Sequence, residues 1–371
     1  MSRTTPTSYW NYIQVDELLS LQSGLEPEDS AQEASHEEVL FITVHQVFEL
    51  WFKLVLGDLR ATRDLFNSDI VAEQQLSGVV ARLHRMTTIF RVAASHFEVV
   101  ETLGTRDYLE FRTKLMPASG FQSAQMRCIE ILFGIESTDR IGGTDMGDPM
   151  KSLLDENGNK SPAYLKVEAQ MADGPNLREC LQTWLARTPI NGVEHGDEKA
   201  AEKQETFIKS YLDAHAAEVE VSAEHAQALE GAGERSERID AMYTKEKSAV
   251  AEFLRPADSS ISAERVRARA AMIFIETYRD LPLLAWPRQV LAACIEFEQA
   301  FLIFRQRHAR MVERVIGRRV GTGGSSGVDY LDQTALRYRV FRDLWAVRTM
   351  MIRPSATPPP ESPDFYGFRS E

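Results

Sequence analysis

Residues 39–57 read VLFITVHQVFELWFKLVLG, and the reading of this stretch decides the fold. It is the most apolar run in the chain, yet His45, Glu49 and Lys53 break it. Ionisable groups are costly in a hydrocarbon span, so the run reads as a long helix buried in protein, not as a membrane crossing. Phe41, His45, Phe48, Phe52 and Val55 recur at spacings of three and four, which places them on one inward stripe. Just upstream, S-H-E-E at 35–38 has the form of a capping box. Ser35 would accept from the Glu38 amide while Glu38 reaches back. A helix over 35–66 is predicted.

The same period continues through most of the chain. Helices are predicted over about 12–22, 72–103 and 108–115, the last stopped by Pro117, and a shorter one within 121–134. Further helices are predicted over 262–278, 287–317 and 330–351. Strand alternation is scarce and no internal repeat is visible. Residues 138–162 form a long loop rich in Gly, Asp and Asn, and about 197–252 is helical but charge-rich, an inserted, solvated hairpin. Residues 1–8 and the proline-rich 354–371 are expected to be disordered tails. The expectation is an all-α fold: one domain over 1–371, a helical core carrying an inserted charged helical hairpin.

Composition narrows the function classes. Forty-two basic against 55 acidic side chains give a net charge of −13, which disfavours nucleic acid and anionic lipid as partners. Cys128, Cys180 and Cys294 lie far apart with no CxxC, against a disulfide framework, a zinc ribbon or covalently attached haem. The N-terminus MSRTTPTSYW lacks an apolar signal core, so a cytoplasmic location is expected.

A second inward histidine lies on the helix near the C-terminus. Cys294, Phe297, Phe301, Phe304, His308, Met311 or Val312, and Val315 recur at helical spacing. A buried imidazole without a partner costs about 1–3 kcal/mol, so His45 and His308 each need a hydrogen bond, a metal or a ligand. Two satisfied core histidines are one reading. No HExxH or Cys–His cluster supports a non-haem metal. One strong nitrogen against much apolar wall suits an axial haem ligand better.

The loop GTGGSSG at 321–327 fits no phosphate motif: it has no GxxxxGK[ST], and a helix, not a strand, precedes it. It reads as a lid whose amides and hydroxyls meet a small polar ligand. Arg112, one turn before the break Pro-Ala-Ser-Gly, suits either a fork onto a carboxylate or a surface ion pair.

Taken in order, YWNYIQVDELLSLQ (9–22), HEEVLFITVHQVFELWFK (36–53), FRTKLMPASGFQSAQ (111–125), TWLARTP (183–189) and RHARMVERVIGRRVGTGGSSGVDYL (307–331) resemble the tryptophan 2,3-dioxygenase family, over about 9–353. The resemblance implies an all-helical homotetramer that holds non-covalent haem b and adds both atoms of O2 across the indole C2–C3 bond of L-tryptophan, giving N-formylkynurenine. It implies His308 as proximal iron ligand, His45 as the distal histidine near the indole nitrogen and Phe41 as a pocket wall. It further implies Arg112 on the substrate carboxylate with Tyr108 assisting, Ser119 and Gly120 near a haem propionate and the substrate, and Thr322 on the ammonium and carboxylate. Tyr9, Tyr12 and Ile13 would reach into a neighbouring subunit's pocket. Relatives of this fold also monooxygenate tryptophan or β-methyltryptophan to oxindole-type products, the alternative reading. Phe304 stands where the family often carries tryptophan.

Overall fold

Helix α3 (His36–Phe66) begins as its capping signal predicts, in a computed structural model that describes residues 8–24, 34–115, 120–135, 150–230, 234–319, 328, 331–332 and 338–367. Ser35 is extended at φ −63°, ψ 156°, and its hydroxyl accepts from the Glu38 amide at 3.2 Å. The other half of the predicted box is not how Glu38 is used. Its buried carboxylate instead meets Lys114 Nζ at 3.3 Å, which fastens the first turn of α3 to the turn Thr113–Leu115.

By length and composition alone α3 is long and apolar enough to cross a membrane. It packs here on α4 (Glu73–Val100), α6 (Ala124–Phe133) and α8 (Leu177–Ala186). Val44, Phe48, Phe52, Val55 and Leu59 are buried along its inner stripe, and Leu50 and Leu54 are exposed on its outer edge. The helix α12 (Ala285–Ile316) lies along α4, and their seam is aromatic. Phe90 meets Phe301 at 5.2 Å and Phe304 at 5.4 Å, while Phe133 of α6 reaches Phe297 at 4.7 Å. Each fully buried phenyl ring contributes on the order of 1.5–3 kcal/mol. The fold is all-α, with no strand among the described residues.

Two buried polar knots fasten this core. Glu130 on α6, 1% exposed, receives Arg127 Nη1 at 2.8 Å and also Arg305 Nη2 of α12. The Arg305 guanidinium lies over the Tyr338 ring at 4.4 Å. Glu298, fully buried, accepts from the amides of Val340 and Phe341 and from the Trp345 indole. These bonds hold the chain that leads into α13 (Arg342–Met350) against α12.

Departures from expectation have local causes. The N-terminal helix is split into α1 (Tyr9–Tyr12) and α2 (Val15–Leu19), because Gln14 takes a left-handed φ of 53°. The predicted helix at 108–115 begins earlier, as α5 (Thr105–Arg112). Helices α7 (Pro162–Met171) and α8 were not predicted, although both carry start signals: Ser161 before Pro162, and Asn176 paired with Glu179. The charged segment forms α9 (Ala200–Glu230) and α10 (Glu234–Leu254), packed on each other and on α11 (Ala263–Thr277).

The expectation of a disordered tail over 354–371 is corrected for 354–367. The helical turns Pro354–Ala356 and Pro363–Tyr366 form there, and Tyr366 is 1% exposed. Its hydroxyl donates to Pro189 O at 3.1 Å and accepts from Gly192 N at 3.0 Å. Glu361 pairs with Lys203 at 2.7 Å, and Tyr278 donates to Pro358 O at 3.0 Å. Prolines limit the entropy lost on ordering, and the aromatic at the end supplies burial. The expected N-terminal tail over 1–8 is likewise corrected at Ser8, which caps α1 by accepting from the Asn11 amide at 3.1 Å, and residues 1–7 and 368–371 lie outside the described residues. Tyr366→Phe is expected to cost about 1–2 kcal/mol, since it leaves a half-buried amide and carbonyl without their shared partner. A shift in the urea midpoint measures it, and an unchanged midpoint would show the strap to be passive.

Candidate active site

The inner face of α3 and the end of α5 meet in one aromatic corner. Phe41 lies 5.9 Å from Tyr108 and 5.7 Å from Phe111, ring centre to ring centre, and Tyr108 is 5.4 Å from Phe111. Arg112 closes α5, half-buried, and its guanidinium charge stands beside the Tyr108 hydroxyl. Burial pushes the Tyr108 phenol up, and the Arg112 charge opposes that rise. A cation held beside a mostly apolar wall is suited to one carboxylate, not to bulk counter-ions. Of the two residues implied after Pro117, Gly120 opens the turn Gly120–Gln122 and is exposed. A Cβ there would meet no described atom within 4 Å. Ser119 lies outside the described residues.

His45 stands one turn from Phe41, their rings 4.1 Å apart. Its Nδ1 is 2.7 Å from the Phe41 carbonyl oxygen, so Nδ1 carries the proton and Nε2 is left as an acceptor. The imidazole is accessible at its surface, yet protein surrounds it closely enough that desolvation lowers its pKa. The Phe41 carbonyl and Glu49 partly oppose the shift.

His308 faces the same space from α12. Its ring is stacked on Phe97 at 5.3 Å and 9°, and it has no hydrogen bond to a described residue. Burial pushes its pKa down to about 4, with the nearby charges of His45 and Arg305 adding to the effect. A neutral imidazole with a free nitrogen is what a metal ligand requires. Around it, Phe304 contacts Phe48 at 5.8 Å and Phe97 at 5.1 Å, so the flank of His308 is lined by phenyl rings.

This donor set fits haem and not a bare ion. No group of three or more His, Cys, Asp or Glu side chains gathers among the described residues. One unpartnered imidazole flanked by flat apolar rings suits an axially ligated porphyrin.

The structure therefore brings together Phe41, His45, Tyr108, Arg112 and His308. Tyr9, Tyr12 and Ile13 lie on the exposed N-terminal segment, Tyr9 and Tyr12 each 76% accessible. Thr322, with the whole loop 321–327, lies outside the described residues. The sequence reading missed Phe97 and Phe111 as wall residues. The helical period of α4 and α5 carried the signal, but nothing in it ranked one core ring above another.

The family model described as tryptophan 2,3-dioxygenase matches residues 1–351. A tryptophan 2,3-dioxygenase of Sorangium cellulosum is 48% identical, over 99% of this chain and 89% of the relative. A protein of Ralstonia nicotianae named tryptophan 2,3-dioxygenase 2 is also 48% identical, over 99% of each. Tryptophan 2,3-dioxygenase B of Danio rerio is 32% identical, over 97% of this chain and 85% of its own length. The matched residues span α3, α5 and α12, the three helices that carry both histidines and the arginine, and the chain belongs to the tryptophan 2,3-dioxygenase family.

Proposed function

We propose that the protein is a haem-dependent dioxygenase that converts L-tryptophan and O2 to N-formylkynurenine. The observation that carries this is the nearness of His45 to His308 and of Phe41 to the Arg112–Tyr108 pair. His308 would hold haem b through its free ring nitrogen, between rings that exclude water. When bound, the haem supplies the iron chemistry that activates O2 for addition across indole C2–C3.

The chain's own residues do the orienting. Arg112, steadied by Tyr108, takes the substrate carboxylate, and the Phe41 ring packs against the indole face. His45 Nε2 is the acceptor available for the indole N–H, because Nδ1 is committed to the Phe41 carbonyl. Ser119 and Gly120 would lie near a propionate and the substrate, and Thr322 would hold the ammonium and carboxylate as the glycine loop closes. The exposed apolar segment with Tyr9, Tyr12 and Ile13 supports its insertion into a neighbouring pocket of a homotetramer. The cytoplasm is the compartment we infer. The names of the relatives favour dioxygenation over oxindole formation.

Turnover of L-tryptophan under 18O2 tests the reading. Two labelled oxygens in N-formylkynurenine are expected, and a singly labelled oxindole would replace it. The pH profile is a second test. Only neutral His45 accepts from indole, and its pKa lies below 6.5, so kcat/KM should hold as pH falls past 6.5 and decline only below that. An acid limb centred at or above 6.5 would remove His45 from that role.

A further inference from the structure

Two of the sequence motifs contain residues that the reaction does not use. They are Glu49 in HQVFELWFK and Ser123 and Gln125 in GFQSAQ. The fold brings them together across 74 and 76 residues of chain. Ser123 Oγ donates to Glu49 Oε1 at 2.6 Å. Gln125 Nε2 forks onto Glu49, meeting Oε2 at 2.8 Å and the main-chain oxygen at 2.6 Å.

The arrangement is directional. Ser123 is the N-cap of α6, and its Oγ accepts from the Met126 amide at 3.2 Å. A hydroxyl has one proton, and donating it to Glu49 turns a lone pair toward that amide. The carboxylate thus sets the rotor of the cap, and it also stands at the positive end of α6. Glu49 itself lies one turn beyond His45 on α3, close enough for its charge to act on the imidazole. Its half-buried carboxylate links the helix of Phe41 and His45 to the helix that begins just after the turn Gly120–Gln122.

We propose that Glu49 is a positioning residue for tryptophan. Through Ser123 and Gln125 it fixes the start of α6, and the turn before it, at a set distance from the His45 face of α3. Substrate bound between the two sides then meets both in register. The proposal rests on the site assignment made above, and it acts through hydrogen-bond geometry, not through the charge alone.

The test uses the full-length, haem-loaded protein and the variants Glu49→Leu, Glu49→Gln and Ser123→Ala. Amide exchange of peptides covering 120–133 is measured without substrate, and steady-state kinetics with L-tryptophan. In Glu49→Leu, exchange at the start of α6 should rise roughly fivefold, as for a lost N-cap. KM for L-tryptophan should rise roughly tenfold with a smaller change in kcat. Glu49→Gln keeps an oxygen for Ser123 and should restore both to within about threefold. A folded Glu49→Leu variant with wild-type KM would overturn the proposal, as would a Glu49→Gln variant as impaired as Glu49→Leu. If Glu49→Leu does not fold, Ser123→Ala decides, with faster exchange and raised KM expected and unchanged KM fatal. Failure of the wild type to turn over tryptophan would sink the dioxygenase reading instead, while the exchange arm would still report on the link between the helices.

Discussion

His308→Ala is expected to give a folded protein with no Soret band after reconstitution with haem. The argument starts from what surrounds the imidazole. Phe97 stacks on its face, and Phe48 and Phe304 complete an apolar wall, none of which can bind iron. His45 is the other histidine of the site, but its Nδ1 is held by the Phe41 carbonyl and its Nε2 faces the space assigned to the indole. No further group of ligating side chains gathers among the described residues to substitute. Losing the axial nitrogen therefore removes the one strong bond to the cofactor, leaving apolar contact alone. Folding should survive, because α12 is held by Phe297, Phe301, Phe304, Arg305 and Glu298, all buried and independent of His308. Far-ultraviolet circular dichroism checks that, and millimolar imidazole should restore part of the Soret absorbance by filling the vacated position. A variant with wild-type Soret intensity and position would disprove the ligand assignment.

What the sequence made legible was mainly what is periodic. The stripe Phe41–His45–Phe48–Phe52–Val55 and the stripe from Cys294 to Val315 both mark core-facing helices, and each exposed its histidine as an anomaly on an apolar face. Contacts between distant segments leave no such trace. Glu38 was read as the return half of a local capping box, but Lys114, 76 residues away, holds its carboxylate. Glu49 looked like an interruption of an apolar run, yet it anchors the cap of α6. The ordered tail was hidden for a related reason. Its prolines suggested disorder, while the burial that orders it depends on Tyr366 finding Pro189 and Gly192. Arg112 shows the same limit at the site, since the sequence allowed a substrate fork but favoured a surface ion pair. The fold sets the arginine beside the Tyr108 hydroxyl and the aromatic corner, a placement that no spacing in the sequence carries.

That placement makes Arg112→Leu the second decisive substitution. A hydrogen bond to a charged group contributes about 1.5–3 kcal/mol, so loss of the guanidinium should raise KM for L-tryptophan roughly 10- to 150-fold. The contact to the carboxylate is made equally before and during reaction, so kcat should change much less. Leucine keeps the apolar bulk beside Tyr108 and Phe111, which separates lost charge from lost packing. The substrate supplies the complementary deletion. Tryptamine has the indole and the amine but no carboxylate, so its affinity should be nearly the same in wild type and Arg112→Leu. In the resulting double-mutant cycle, coupling between arginine and carboxylate should account for most of the loss. If the variant weakens tryptamine and tryptophan alike, Arg112 shapes the aromatic corner and some other group receives the carboxylate. If it weakens neither, the guanidinium serves Tyr108 alone, and the space between His45 and His308 takes its substrate in another orientation.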